Sequence, residues 1–536
     1  MTNLPAKEKV IDLEASFPRS LTDPDNFDLH VASSSPVLAK SFSLFSACST
    51  GITTGNAWAV LGGAILVSLY NGGPPGIIYE LCASHYLHYA TYTKPSNVEH
   101  STTVSFFYCF IGASIAELAS SIPASGGVYH WATATAGPRY GRICGWFAGW
   151  LNAFAWTFAV ASNVSMTSSM IVYAYTLYHP EANPQRWQIF ICYLIILWIC
   201  CFTVMFAQRA LAAISRIGSF FIVAGLLVTT IVCAIMPSRT GSGYASNDFV
   251  WKDWNNLTGY SSDKLTFLAG MLNGAFAVGA IDCVTHIAEE IPQADKNIPK
   301  ALACQVLIGF VTGFCYLVSI FYATNDLPKI MSLGSICPLG DMYFQATGSK
   351  AGALGLLVVT IAPIFIATIG CFITCGRTFY TLGRDDATPF SSKIGAVSQR
   401  WHSPVWATFA CGIFLSFIGA IYVGSLTAFN AFIGSFVLLT TVSYFLAIFP
   451  HLLTGRKNIR PGPFWMGKFG PLVNIVACSY IAVTSVVYCF PYTLPTSPQS
   501  MNYTSVITCG LAVLIGLWWL VHGRSHFRGP QMTIEG

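Results

Sequence analysis

Residues 265–302 read LTFLAGMLNGAFAVGAIDCVTHIAEEIPQADKNIPKAL. The first half is an apolar run that carries Gly270, Gly274 and Gly279 and then an acid, Asp282. It ends in a charged, proline-bearing turn, Glu289-Glu290-Ile291-Pro292, with Pro299 beyond. A helix in lipid keeps its backbone bonded and its charges out, because hydrocarbon offers neither water nor counter-charge. A span weakened by glycines that also holds a carboxylate is the pattern of a helix interrupted to bind a solute. The stretch predicts a transport protein and half of its binding site.

Composition sets the class. Hydrophobic residues make up 54% of the chain and charged residues 9%, and the mean hydropathy is +0.58. A soluble chain is about a quarter charged. Apolar runs of about 20 residues recur along the whole length, which predicts an all-α polytopic membrane protein. They are continuous rather than alternating, so a β-barrel is excluded. The net charge of +5 sits in short loops between spans and is no nucleic-acid signal. Residues 1–41 are polar with no early apolar core, which predicts a disordered cytosolic tail and no cleaved leader. Nearly all of the eighteen cysteines lie in apolar runs, without a CxxC pair or Cys/His cluster, and are expected to be small core hydrophobes. No metal or cofactor is expected.

Twelve spans are predicted. Span 1 covers about Phe42–Tyr70, span 3 Ile143–Tyr175, span 4 Trp187–Ala207 and span 5 Leu211–Met236. Span 6 begins near Leu265, span 7 covers Ala301–Tyr322, and span 8 Ala351–Thr374. Spans 9 to 12 cover Val405–Val423, Leu426–Phe449, Pro471–Phe490 and Val506–Val521. Span 2 is unusual. Residues 76–81 and 105–121 together make about one crossing at roughly 1.5 Å per residue. The intervening 82–104, CASHYLHYATYTKPSNVEHSTTV, is polar. It is read as an inserted piece, either a translated intron or a genuine insertion.

Lys and Arg in the loops orient the chain. With both termini in the cytosol, twenty of them fall inside and six outside, with Lys94 in the inserted piece. Two Asn-x-Thr sequons, at Asn256 and Asn502, fall outside on this topology. Spans 1–5 (42–236) and 6–10 (265–449) are parallel in layout, each opening with a glycine-interrupted helix. An odd number of spans per set inverts the second. Spans 11 and 12 (471–522) are peripheral, and 523–536 is a cytosolic tail.

Three separated motifs then carry a resemblance. GASIAELASSIPASGGVYHWA lies at the inner end of span 2, AEEIPQADKNIPKAL follows span 6, and FYTLGRDDATPFS joins spans 8 and 9. Together they resemble the amino acid–polyamine–organocation transporter superfamily over residues of about 40 to 522. NGGPPGIIYE and SIPASGGVYHW are similar to its fungal amino acid/choline/γ-aminobutyrate permease branch. The resemblance implies a ten-helix inverted-repeat (LeuT-like) core with two peripheral helices. It also implies alternating-access uptake of a small amine-bearing solute, often coupled to protons, across the plasma membrane.

The candidate substrate site joins the two interrupted helices. Unwinding at Gly51-Ile52-Thr53-Thr54-Gly55 would free backbone N–H groups for a carboxylate, with Thr53, Thr54 and Asn56 as added donors. Close helix packing at small residues is the competing reading. Gly279 and Phe276 flank the second break. Asp282 is a counter-ion for an amine, a proton carrier, or a structural acid bonded to a neighbouring helix. His286, one turn on, is a shuttle or an interfacial residue. In span 3, Trp146, Trp150 and Trp156 offer cation–π faces or interfacial anchors, with Trp150 the one placed in the site. Glu80 is a candidate cation attractor. Glu117, Glu289 and Glu290 lie at inner helix ends, and an inner gate is assigned to Glu117 and Glu289, with Arg142, Arg377 or Arg384 as partners. Interfacial solvation is the alternative.

The predicted function is secondary import of choline, an amino acid or γ-aminobutyrate. A nutrient sensor of the same fold would be expected to carry a longer ordered tail than the polar ends here. A membrane enzyme would need clustered His or acidic ligands, which are missing outside residues 85–100. Small solute, lipid and proton are the expected partners, with no nucleic acid and the oligomeric state open.

Overall fold

Long apolar runs become long helices because intrahelical bonds satisfy every backbone group without water. The structure, a computed structural model, describes residues 41–65, 69–81, 104–332, 335–424, 427–498 and 500–530. Among these, span 1 is Leu44–Gly55 followed by Ala57–Gly63, and span 2 is Gly73–Leu81 and Val104–Ser121. Span 3 lies in the helix Val128–Tyr178, span 4 is Arg186–Phe206 and span 5 Leu211–Thr240. Span 6 is Asp263–Val278 with a short 3-10 helix, Thr285–Glu290. Spans 7 to 10 are Ala294–Tyr322, Lys350–Arg384, Val405–Gly424 and Thr427–Leu453. Span 11 is Gly470–Val487, and span 12 begins with Thr504–Trp518. Among the described residues, nine helices are long and apolar enough to cross a membrane, and those of the interrupted spans 1 and 6 are not among them. The stretch expected to be an insertion, 82–104, lies outside the described residues but for Val104. Both parts of span 2 pack against spans 6 and 7.

Span 3 is the axis of the fold, packed along spans 10 and 8, while span 4 pairs with span 9. Span 1 lies against spans 5 and 7. Hydroxyls inside this bundle turn back onto their own helices, as when Thr157 donates to the Ala153 carbonyl and Ser168 to that of Val164. The periphery is apolar instead. Trp187, Ile191, Ile195, Ile199, Phe202 and Phe206 form one exposed stripe along span 4. Span 12 exposes Val513, Leu514, Leu517, Leu520 and Val521. Faces of this size are solvated by lipid rather than water.

Two local features differ from expectation. The helix of span 3, expected from Ile143, already begins at Val128 and turns into the span at Gly137 (φ 70°), just before Pro138. Trp131 anchors it, its indole N–H donating to the Ile122 carbonyl at 2.9 Å. Neither sequon presents a free side chain. Asn502 is buried and its amide donates to the carbonyls of Tyr488 and Phe490. Asn256 donates to Tyr260 and Asp263.

Candidate functional site

The break in span 6 is wide. Helix ends at Val278, residues 279–284 run without helical bonding, and one 3-10 turn, Thr285–Glu290, follows. Asp282 sits inside the break rather than on a helix face. The break in span 1 is narrow. The helix continues through Gly51 and Gly55 and departs only at Asn56, whose N–H still reaches the Ile52 carbonyl at 2.9 Å. The expected release of N–H groups over 51–55 therefore does not occur. The glycines make room instead: a Cβ at Gly51 or Gly55 would meet the Gln305 side chain at 3.1 or 3.0 Å.

Asp282 is fully buried and ringed by four side chains. Tyr444 of span 10 donates to Oδ1 at 2.6 Å. On Oδ2 converge the Asn152 amide at 2.8 Å and the Trp156 indole N–H at 3.4 Å, both from span 3. His286 Nε2 lies 3.1 Å from the same oxygen. Asn152 and Trp156 are four residues apart and share a helix face, which is why one carboxylate reaches both.

The other ring nitrogen of His286 defines its tautomer. Nδ1 lies 3.1 Å from the Ser125 carbonyl and 3.2 Å from Thr378 Oγ1. That hydroxyl already donates to the Thr374 carbonyl at 2.8 Å, so both neighbours of Nδ1 are acceptors. Nδ1 therefore carries a hydrogen. Nε2 then faces a carboxyl group across 3.1 Å, and the contact is attractive only with one proton between them. Three further donors reach the same carboxylate. The Pro123-Ala124-Ser125-Gly126-Gly127 turn delivers the Ser125 carbonyl. Gly127 has φ 50°, and a Cβ there would lie 2.9 Å from Thr285 Oγ1, so only glycine allows this approach. The two sequence motifs are thus physical mates.

The remaining candidates divide between the centre and its surroundings. Phe276 and Trp156 both meet Phe436 of span 10 edge to face, at 5.8 and 5.6 Å between centroids. This aromatic group lies beside the break. Asn56 and Asn273 are buried with no hydrogen-bond partner for either amide atom. Thr53 donates to the Ser215 carbonyl of span 5, and Thr54 packs on Gly370 of span 8. Gly279 ends the helical part of span 6. Trp150, two residues before Asn152, lies on the opposite side of span 3 and stacks on Phe154. Trp146 packs on Trp519 and Phe527. Glu80 is buried with neither carboxyl oxygen partnered, its Oε1 lying where a Cβ on Gly270 would be.

At the inner end, the buried Arg377 holds Glu290 at 2.8 Å and also donates to Gln208 at 2.9 Å. Gln208 donates back to Glu290 at 2.8 Å, and Ser41 adds a bond. Spans 5, 6 and 8 and the start of span 1 are thereby tied together. Glu289 meets Arg384 at 3.5 Å nearer the surface. Glu117 pairs with Arg456 from the loop after span 10, with His451 beside it. Its partner is none of the three arginines expected. Tyr444, Ser125, Phe436, Gln208 and Gln305 were assigned no role from the sequence, and Asn152 was noted on span 3 without one; only Gln208, beside Arg209 at an inner helix start, had a positional cue. Among the described residues no group of His, Cys, Asp and Glu is arranged to hold a metal ion.

Comparison with known proteins places this geometry. A family model for amino acid permeases matches residues 90–515. The chain is 30% identical to the choline transporter of Saccharomyces cerevisiae over 96% of its own length and 87% of the relative's. It is 27% identical to the amino-acid permease BAT1 of Arabidopsis thaliana, covering 80% of this chain and 85% of that one. It is likewise 27% identical to the transmembrane transporter swnT of Metarhizium robertsii, over 77% and 82%. A glycine-interrupted span 6 with a buried acid, mated to the PASGG turn, sits within a match covering most of the chain, and the chain belongs to the amino acid permease family.

Proposed function

We propose that this permease imports a small amine-bearing solute by alternating access, and that the Asp282–His286 pair carries the coupling proton. The protein is a transporter, not an enzyme. The observation that carries the proposal is the carboxylate held within the break of span 6 by three fixed donors and one titratable one. Only His286 among these is an imidazole, whose Nε2 can either donate a proton or offer a lone pair. With the proton present the pair is neutral overall. Without it a bare charge remains in a dry site, which is strongly disfavoured. The proton is therefore taken up before the site closes and is released to water when the site opens to the other side.

The same geometry bears on the cargo. Four side chains already surround the buried Asp282 carboxylate, three of them on Oδ2, so it is no bare counter-ion for an ammonium group. A primary ammonium brings three N–H donors that need acceptors, whereas a quaternary ammonium needs none. The faces of Phe276, Phe436 and Trp156 suit the latter through cation–π attraction. Choline-type cations are the leading cargo, in line with the yeast relative, and amino acids or γ-aminobutyrate are the alternative. The Arg377–Glu290–Gln208 lock, with Glu289–Arg384 and Glu117–Arg456 around it, serves as the closed inner gate. The halves 42–236 and 265–449 act as inverted repeats, with spans 11 and 12 (471–522) outside the core. Both termini face the cytosol at the plasma membrane, the 1–41 and 523–536 ends included.

The test is uptake of radiolabelled choline, γ-aminobutyrate and amino acids into proteoliposomes holding the purified protein. Choline uptake accelerated by acid outside supports the proposal. Uptake of none of them overturns it.

A further inference from the structure

We infer that Gln305, on span 7, is the positioning residue that holds the two helix breaks in register; the inference deepens the transporter reading above. Its side chain is buried between the two interrupted spans. Toward span 6, Nε2 donates to the Ala280 carbonyl at 2.6 Å, and Oε1 accepts from the Cys283 thiol at 3.5 Å. Toward span 1, the same amide fills the space a Cβ would take at Gly51 and Gly55. One amide thus lies against both helices at the point where each gives up its regular geometry.

The rest of span 7 extends the contact. A Cβ on Gly309 would touch Ala57, and one on Gly313 would touch Leu61 at 3.1 Å. Positions 305, 309 and 313 form one stripe along both halves of span 1, on either side of Asn56. Gln305 alone on that stripe also bonds to span 6. The Ala280 carbonyl is freed from helical pairing by the break. A buried carbonyl without a donor is expensive, and besides Gln305 the Cys283 N–H reaches it only at 3.5 Å. The amide thus stabilises the open loop at 279–284, which in turn presents Asp282 to its donors. It also explains why span 1 carries glycine at 51 and 55 although its helix is unbroken there.

A glutamate at 305 separates bonding from packing. Protonated, it can still donate to the Ala280 carbonyl; ionised, it opposes that carbonyl in a dry site. The titratable groups beside that point are Cys283, which bonds to Gln305, with Asp282 and its partner His286 on span 6, Cys48 on span 1, and Lys300 and Cys304 on span 7 itself. A methionine keeps the shape and loses both bonds.

The experiment is backbone hydrogen exchange, followed by mass spectrometry, on purified full-length wild type, Q305M and Q305E at pH 5.5 and 8, normalised to intrinsic rates. It needs no substrate, so its failure is distinct from failure of the uptake assay. Q305M is expected to exchange about tenfold faster than wild type over 279–284 and 52–57, with span 12 unchanged. Q305E is expected to match wild type at pH 5.5 and Q305M at pH 8. Wild-type exchange in Q305M, or a Q305E profile that ignores pH, overturns the assignment.

Discussion

Replacing Asp282 by asparagine separates the proton from the cargo. The substitution keeps size and one carbonyl oxygen, which still accepts from Tyr444. It puts an NH2 group where Oδ2 received Asn152, Trp156 and His286. His286 can adapt, because with Nδ1–H facing Ser125 its neutral form offers a lone pair at Nε2. Asn152 can turn its amide so that Oδ1, otherwise unpartnered, accepts from the new NH2 group, whereas the Trp156 indole is only a donor, and a buried donor left without its acceptor costs about 1–3 kcal/mol. The weaker Trp156 contact, at 3.4 Å, falls at the low end. The variant is destabilised but keeps its fold. Its coupling changes in kind. A difference of two pH units is worth about 2.7 kcal/mol per proton, or roughly a hundredfold accumulation at one proton per solute. In proteoliposomes with acid outside and the membrane potential clamped, wild type is expected to approach that ratio with radiolabelled choline. D282N is expected to equilibrate near unity while retaining choline exchange at equal pH. Gradient-driven accumulation by D282N equal to wild type would refute the coupling role.

Four further outcomes follow from the same contacts. R377A leaves the buried Glu290 carboxylate without its cation and should lower stability by about 3–5 kcal/mol, read as a drop in thermal midpoint and faster labelling of inner-side cysteines. F436A removes a ring that meets both Phe276 and Trp156 and should raise the KM for choline by roughly tenfold, with maximal rate changed less. N502Q should leave the electrophoretic mobility of the untreated protein unchanged, because the Asn502 amide is buried and bonded; a lost glycan band would contradict that. A chain lacking residues 82–104 should fold and transport at least as well as the full chain, if the piece interrupts span 2. Loss of uptake in the shortened chain, with a transcript that encodes the piece, would establish it as genuine.

Much of the fold was legible because lipid imposes strong rules. Apolar runs gave the spans, and the helices differ from them mainly at their ends. The break in span 6 was legible because an acid and three glycines in one span conflict with those rules. Its companions were not. Asn152, Tyr444 and Ser125 are ordinary residues in sequence, and only packing of spans 3, 6 and 10 brings them to Asp282. Gly51 and Gly55 were read as a break, whereas in the structure they make room for Gln305, some 250 residues further on. Trp150 stood beside Asn152 in sequence yet faces the other way, since two residues on a helix are nearly opposite. Glu117 and Glu290 needed partners, and two of those, Arg456 and Gln208, come from elements no spacing rule connects.

The most direct measurement is proton movement itself. Purified wild type is placed in liposomes containing a pH-sensitive dye, at equal pH on both sides, and choline is added outside. The account predicts acidification of the lumen that depends on choline and disappears in D282N. Entry of radiolabelled choline with the lumen pH unmoved would contradict it.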